Sequence, residues 1–145
     1  MKKLTLIVTL ALLAFAGCGQ NSEQTKSEEM NMDFMELAAG RYSVRHFSEQ
    51  PVEQEKIEKI LEAGKLAPTA VNSQPQMIYV LQSEEAIEKA NRLSRCIYGA
   101  PQVFLICYDD SRVCRRGADG NYGDIDCTIV LTHMMLEAEN LGIGT

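Results

Sequence analysis

The 145-residue sequence predicts an α+β fold on three observations. Glu53 to Leu66 sets Ile57, Ile60, Leu61 and Gly64 at i, i+3, i+4 and i+7, so a helix there carries one apolar face. Met77 to Leu81 and Val103 to Tyr108 are apolar runs of strand length, a pattern that suits strands buried on both faces. Gly123 to Leu141 is apolar on nearly every side of a helix, which then needs partners on more than one of them.

Local signals supply the remaining elements. Asp33 to Ala39 makes a short helix closed by Gly40, whose tolerance of positive φ suits a helix end. Pro68 stops the Glu53 helix, because proline lacks the N–H that another turn would use. Ser83 caps a helix whose first turn holds Glu84 and Glu85, negative charge at the positive end of the dipole. Asp109 to Gly120 is polar and arginine-bearing, the pattern of a loop. In the last helix Ile125, Ile129, Thr132, Met135 or Leu136, and Glu139 trace one stripe, which Val130, Leu131, Met134, Ala138 and Leu141 broaden. The second partner of so broad a face is either the domain itself or another subunit. Gly142 ends the helix, and Gly142-Ile143-Gly144-Thr145 reads as the beginning of a further strand.

Ahead of this domain, Lys2 and Lys3 precede a charge-free, largely apolar run from Leu4 to Ala16, the shape of a signal peptide over residues 1–17. Phe15-Ala16-Gly17-Cys18 resembles the lipobox of bacterial lipoproteins, which makes Cys18 the expected lipidation site and a lipid-anchored place in the cell envelope the expected location. Residues 18–31 are almost wholly polar and read as a flexible tether, leaving 32–145 as one domain. The net charge of −6 becomes more negative once the two leader lysines are removed, so no nucleic-acid partner is implied.

Cys96, Cys107, Cys114 and Cys127 are irregularly spaced, without C-x-x-C or histidine pairing, and imply no metal site. Cys107 and Cys127 read as small core residues, and Cys114, among Arg112, Arg115 and Arg116, as either an ordinary loop thiol or a reactive one. His133 reads as a packed or hydrogen-bonded helix residue, and His46 as a third donor beside Arg45 or a cover over it.

Two segments carry chemistry. If Arg41 to Phe47 is extended, Arg41, Ser43 and Arg45 share one face and Tyr42 and Val44 the other. Two guanidinium forks flanking a hydroxyl suit a phosphate, although the same residues also describe a solvated basic turn. Between Pro68 and Pro75 stand Thr69, Asn72, Ser73 and Gln74, a stiff loop whose amides offer donors and acceptors to the edge of a flavin or nucleobase.

These segments occur in a fixed order: R-x-S-x-R-x-F from Arg41, A-P-T-A-x-N-S-Q-P from Ala67, the strand Val103 to Cys107 after Ala100-Pro101, and Leu136-Glu137-Ala138-Glu139-Asn140-Leu141-Gly142-Ile143-Gly144-Thr145. The whole, from about Met32 to Thr145, resembles the nitroreductase family of FMN-dependent oxidoreductases. The resemblance implies a central mixed or antiparallel sheet surrounded by helices, and a homodimer with the last helix near its interface. It implies FMN as cofactor, with Arg41, Ser43 and Arg45 on the phosphate, Tyr42 beside them, and Pro68, Thr69, Asn72 and Gln74 on the ring, often from across the dimer. No protein side chain is then the catalyst, because the flavin carries electrons from NAD(P)H to a small-molecule acceptor such as a nitroaromatic or quinone.

Two departures accompany the resemblance. Gln76 stands where the family usually has an aromatic residue. The family pattern also continues past Thr145 with a strand and a loop that touch the ring and a basic residue for the phosphate, so the C-terminal part of the domain is expected to be missing. Nicotinamide cofactors are cytosolic, so either an exported domain uses another reductant, such as a membrane quinol or an electron-transfer partner, or the leader reading is wrong. The alternatives are a non-catalytic flavin-binding or interaction lipoprotein and a thiol-based redox lipoprotein built around Cys114.

Overall fold

The computed structural model describes residues 33–117 and 120–145; the expected leader, the Cys18 lipidation site and the tether lie outside them. The chain runs through α1 (Phe34–Gly40), α2 (Gln54–Leu66), β1 (Gln76–Leu81), α3 (Glu84–Leu93), β2 (Val103–Tyr108), β3 (Arg115–Arg116), β4 (Gly120–Asn121) and α4 (Gly123–Asn140). The fold is α+β, with antiparallel ladders: β1 pairs β2 from Gln76 opposite Tyr108 to Leu81 opposite Val103, and β3 pairs β4.

The core lies where α2 crosses α4. Ile60, Ala67, Val130, Met134 and Ala138 form its buried centre, and Ile78, Phe104 and Ile106 pack against it from one face of the β1–β2 ladder. Alternation sends Met77, Tyr79 and Leu105 to the opposite face, where they are 40, 49 and 44% exposed. The expectation of strands buried on both faces is therefore wrong for the described residues, because helices cover the ladder on one side.

Two further expectations about helices need correction. The buried seam of α4 is Gly123, Asp126, Val130, Met134 and Ala138, and not the stripe through Ile125, which is 54% exposed. The chosen seam is the one with room for close neighbours: a Cβ at Gly123 would lie 2.7 Å from the Tyr108 ring. Gly40 is not at positive φ either; it completes α1, and Arg41 caps the helix in an extended conformation by donating its N–H to Leu37 O at 3.2 Å. The glycine that turns left-handed at the end of α4 is Gly142, at φ +71°. There the Ile143 amide reaches Ala138 O at 2.8 Å and the Gly142 amide reaches Glu139 O at 2.9 Å, satisfying the last carbonyls of α4.

The polar stretch from Asp109 is more ordered than a loop pattern implies. The Asp109 carboxylate accepts the Ser111 hydroxyl at 2.6 Å and the Ser111 amide at 2.9 Å, donors that hold its carboxyl below the usual range. The short β3–β4 ladder follows. The strand expected from Gly142 forms no ladder among the described residues; Val44 N–H donates to Thr145 O at 2.8 Å.

Candidate functional site

Arg41 leaves α1 in an extended conformation, and the side chains that follow alternate in what they line. Tyr42, Val44 and His46 line a cavity of about 700 Å³, together with Phe104, Met134 and Gly144, whereas Arg41, Ser43 and Arg45 do not. His46 is thus grouped with Tyr42 and Val44 along the cavity. The guanidinium of Arg45 lies over the Tyr98 ring, 4.8 Å from its centroid, and its Nη1 donates to Val44 O at 3.0 Å. Arg41 differs: its Nη1 is buried and has no acceptor, the state of a donor that an anionic oxygen would complete.

The second segment is a tight loop held in an unusual backbone. Val71, Asn72 and Gln74 all have positive φ, at 50°, 54° and 45°. For a β-branched residue such as Val71 this is a real outlier. Local bonds close the loop: Thr69 Oγ1 accepts the Gln74 amide at 3.0 Å, and Thr69 O accepts the Asn72 amide at 2.9 Å. Two long-range bonds fix it to the rest of the fold. Arg112 Nη2 donates to Ser73 O at 3.2 Å, and the Ala70 amide donates to Asp126 Oδ1 at 2.8 Å. The side chains of Asn72 and Gln74 remain exposed at the loop tip with Pro68.

Within the chain these two segments sit at opposite ends of α4. The loop is bonded to Asp126 near the helix start, and a Cβ at Gly40, next to Arg41, would lie 3.6 Å from Glu139 Oε1 near its end. From Asp126 to Glu139 the helix rises about 20 Å. The chain therefore does not bring its basic segment and its amide loop together by itself.

The nitroreductase family model matches residues 38–96, which include both segments. A crystal structure of a nitroreductase family protein from Clostridium difficile 630 superposes with a TM-score of 0.73 at 46% identity, covering 77% of this chain and 64% of that one. This is the nitroreductase-family fold. The FMN reductase [NAD(P)H] of Bacillus subtilis is 29% identical over 71% of this chain and 48% of its own length. A protein of Methanothermobacter thermautotrophicus, provisionally named an NADH dehydrogenase/NAD(P)H nitroreductase, is 30% identical over 78% of this chain and 59% of its own. The chain thus spans about half to three-fifths of these two curated relatives.

Within the nitroreductase fold, sequence reasoning missed three residues that organise the segments. Asp126 holds the amide loop, Arg112 braces it and Tyr98 stacks on Arg45. None of the three was legible in the sequence, because each meets a partner distant along the chain. Among the described residues no group of histidine, cysteine or acidic side chains is placed to hold a metal, and all four cysteines are free. His133 is bonded within its own helix, Nδ1 to Ile129 O at 2.9 Å. No helix of the described residues is long and apolar enough to cross a membrane.

Proposed function

We propose that the protein is an FMN-dependent NAD(P)H oxidoreductase working as a homodimer, each flavin site shared between the Arg41–Arg45 segment of one subunit and the Thr69–Gln74 loop of the other. The placement of these segments at opposite ends of α4 carries this reading. A two-fold axis crossing α4 near its middle would set each basic segment against the loop of the second subunit. The exposed Ile125 and Leu131 give that helix an apolar surface for the contact.

The chain's residues fit the cofactor. Arg41 Nη1 is a buried donor in need of an acceptor, and a phosphate oxygen is one. Ser43 and Arg45 lie on the same face of the segment, with Arg45 oriented by the Tyr98 ring. At the other end the exposed amides of Asn72 and Gln74 offer both donors and acceptors to a ring edge, beside the exposed Pro68. When bound, FMN supplies the electron chemistry, taking hydride from NAD(P)H and passing electrons to a nitroaromatic, quinone or similar conjugated acceptor. The name of the Bacillus subtilis FMN reductase [NAD(P)H] supports this pairing of flavin and nicotinamide.

Mixing two defective chains tests the shared site. Arg41→Ala and Asn72→Ala chains should each bind FMN weakly, and subunit exchange should restore tight binding in about a quarter of the sites, one per mixed dimer. No recovery in a mixture shown to exchange subunits would contradict it.

A further inference from the structure

We infer that Asp126 is a positioning residue for the proposed flavin site: its carboxylate, inside the core, holds the Thr69–Gln74 loop in the conformation that presents Asn72 and Gln74. This rests on the flavin reading above only for what the loop contacts. The bond itself is geometric, Ala70 N–H to Asp126 Oδ1 at 2.8 Å.

Three observations converge on Asp126. It is 1% exposed, the one buried charged residue among the described core, on a stripe otherwise made of Gly123, Val130, Met134 and Ala138. Burying a carboxylate among such neighbours is unfavourable unless it is hydrogen-bonded, and only one of its oxygens is: Oδ2 is buried and has no donor. The loop it holds is the segment with the most left-handed backbone in the described chain, at Val71, Asn72 and Gln74. Such a backbone persists only when surrounding contacts over-determine it. The bonds from Thr69 are internal to the loop and move with it, and Arg112 is an exposed side chain. Asp126 is the anchor that reaches the loop from the packed interior, through the first turn of the helix that also bears the proposed subunit contact.

Two substitutions cut the same bond from its two sides. Asp126→Ala removes the acceptor. Ala70→Pro removes the donor and leaves the buried acid in place, and the site accepts proline, because Thr69 is already extended at φ −130° and ψ 157° and Ala70 begins the helical turn. Amide hydrogen exchange and flavin titration are then read on the parent chain, both variants and Asp126→Asn, which keeps an oxygen for Ala70 N–H.

The expected result is faster exchange at Val71 to Gln74 in Asp126→Ala and Ala70→Pro, with α2 unchanged, and recovery of protection in Asp126→Asn. Both loop variants should lose FMN and riboflavin affinity by an equal factor of about tenfold, the loss of one charge-assisted bond, and should shift the visible band of bound flavin. Unchanged exchange in Ala70→Pro would overturn the inference, even if Asp126→Ala fails to fold. Faster loop exchange with unaltered affinity and spectrum would also overturn it. If the parent chain binds no flavin, the flavin reading fails, and the exchange results decide the Asp126 tie separately.

Discussion

The Val44 amide donates to the Thr145 carbonyl at 2.8 Å, and the same valine closes on Gly144 so tightly that a Cβ there would lie 2.6 Å from Val44 Cγ2. The residues between the two arginines of the basic segment are therefore seated on the backbone that follows α4. Gly144→Ala should push Val44 away, with an overpacking cost of about 1–3 kcal/mol. Because Val44 lies between Ser43 and Arg45, FMN affinity should fall more than riboflavin affinity. Urea unfolding and paired flavin titrations check both effects.

Arg41 and Arg45 should not be equivalent. Arg41 has a buried Nη1 without an acceptor, whereas Arg45 is exposed and already stacked on Tyr98. Arg41→Ala should weaken FMN by about tenfold or more, since a bond to a charged group is worth roughly 1.5–3 kcal/mol. Arg45→Ala should cost less, and neither should much affect riboflavin. Equal losses for both flavins, measured by fluorescence quenching, would remove the phosphate from this segment.

Two helical glycines should answer alanine differently. In a helix interior Gly→Ala ordinarily gains about 1 kcal/mol. At Gly64 the new methyl would meet Met134 Cγ at 3.0 Å and Sδ at 3.1 Å, a flexible side chain that can give way, so the gain should nearly offset the crowding. At Gly123 it would lie 2.7–2.8 Å from three atoms of the Tyr108 ring, a rigid plate, and the variant should be destabilised by about 1–3 kcal/mol. Denaturation midpoints of the two variants read the difference.

Burial raises the Cys127 thiol above its ordinary value of 9.0, with Cys107 and the acids Asp124 and Asp126 acting in the same direction. A group raised on folding stabilises the fold below its unfolded value and ceases to do so as pH rises through the folded one. Stability should therefore decline above about pH 9, and Cys127→Ala should flatten that decline. Iodoacetamide at pH 8 should modify the exposed Cys96 first and Cys127 last, as peptide mass mapping would show.

Several of these features were legible in the residues. The α2 boundaries follow from a clear stripe and Pro68, and the separation of Arg41, Ser43 and Arg45 from Tyr42, Val44 and His46, which alone of these line the cavity, follows from simple alternation. The seam of α4 was not, because a helix apolar all round gives periodicity no contrast; neighbours such as the Tyr108 ring choose the face. Gly40 and Gly142 look alike in sequence, and only the course of the chain beyond each makes one helical and the other left-handed. Asp126 resembled an ordinary first-turn acid, since its partner Ala70 is distant in sequence. The open face at Met77, Tyr79 and Leu105 was hidden for a related reason, because an apolar run does not record how many layers cover it.

The central claim is that this fold holds FMN and moves electrons through it, and one anaerobic titration tests it. The purified protein is loaded with FMN, freed of excess cofactor, and followed at the flavin absorbance band as NADH or NADPH is added, then a quinone or nitroaromatic. The account predicts a retained yellow complex that is bleached by a nicotinamide and recovers its colour with the acceptor. Protein that retains no FMN, or a bound flavin that no nicotinamide bleaches, would contradict it.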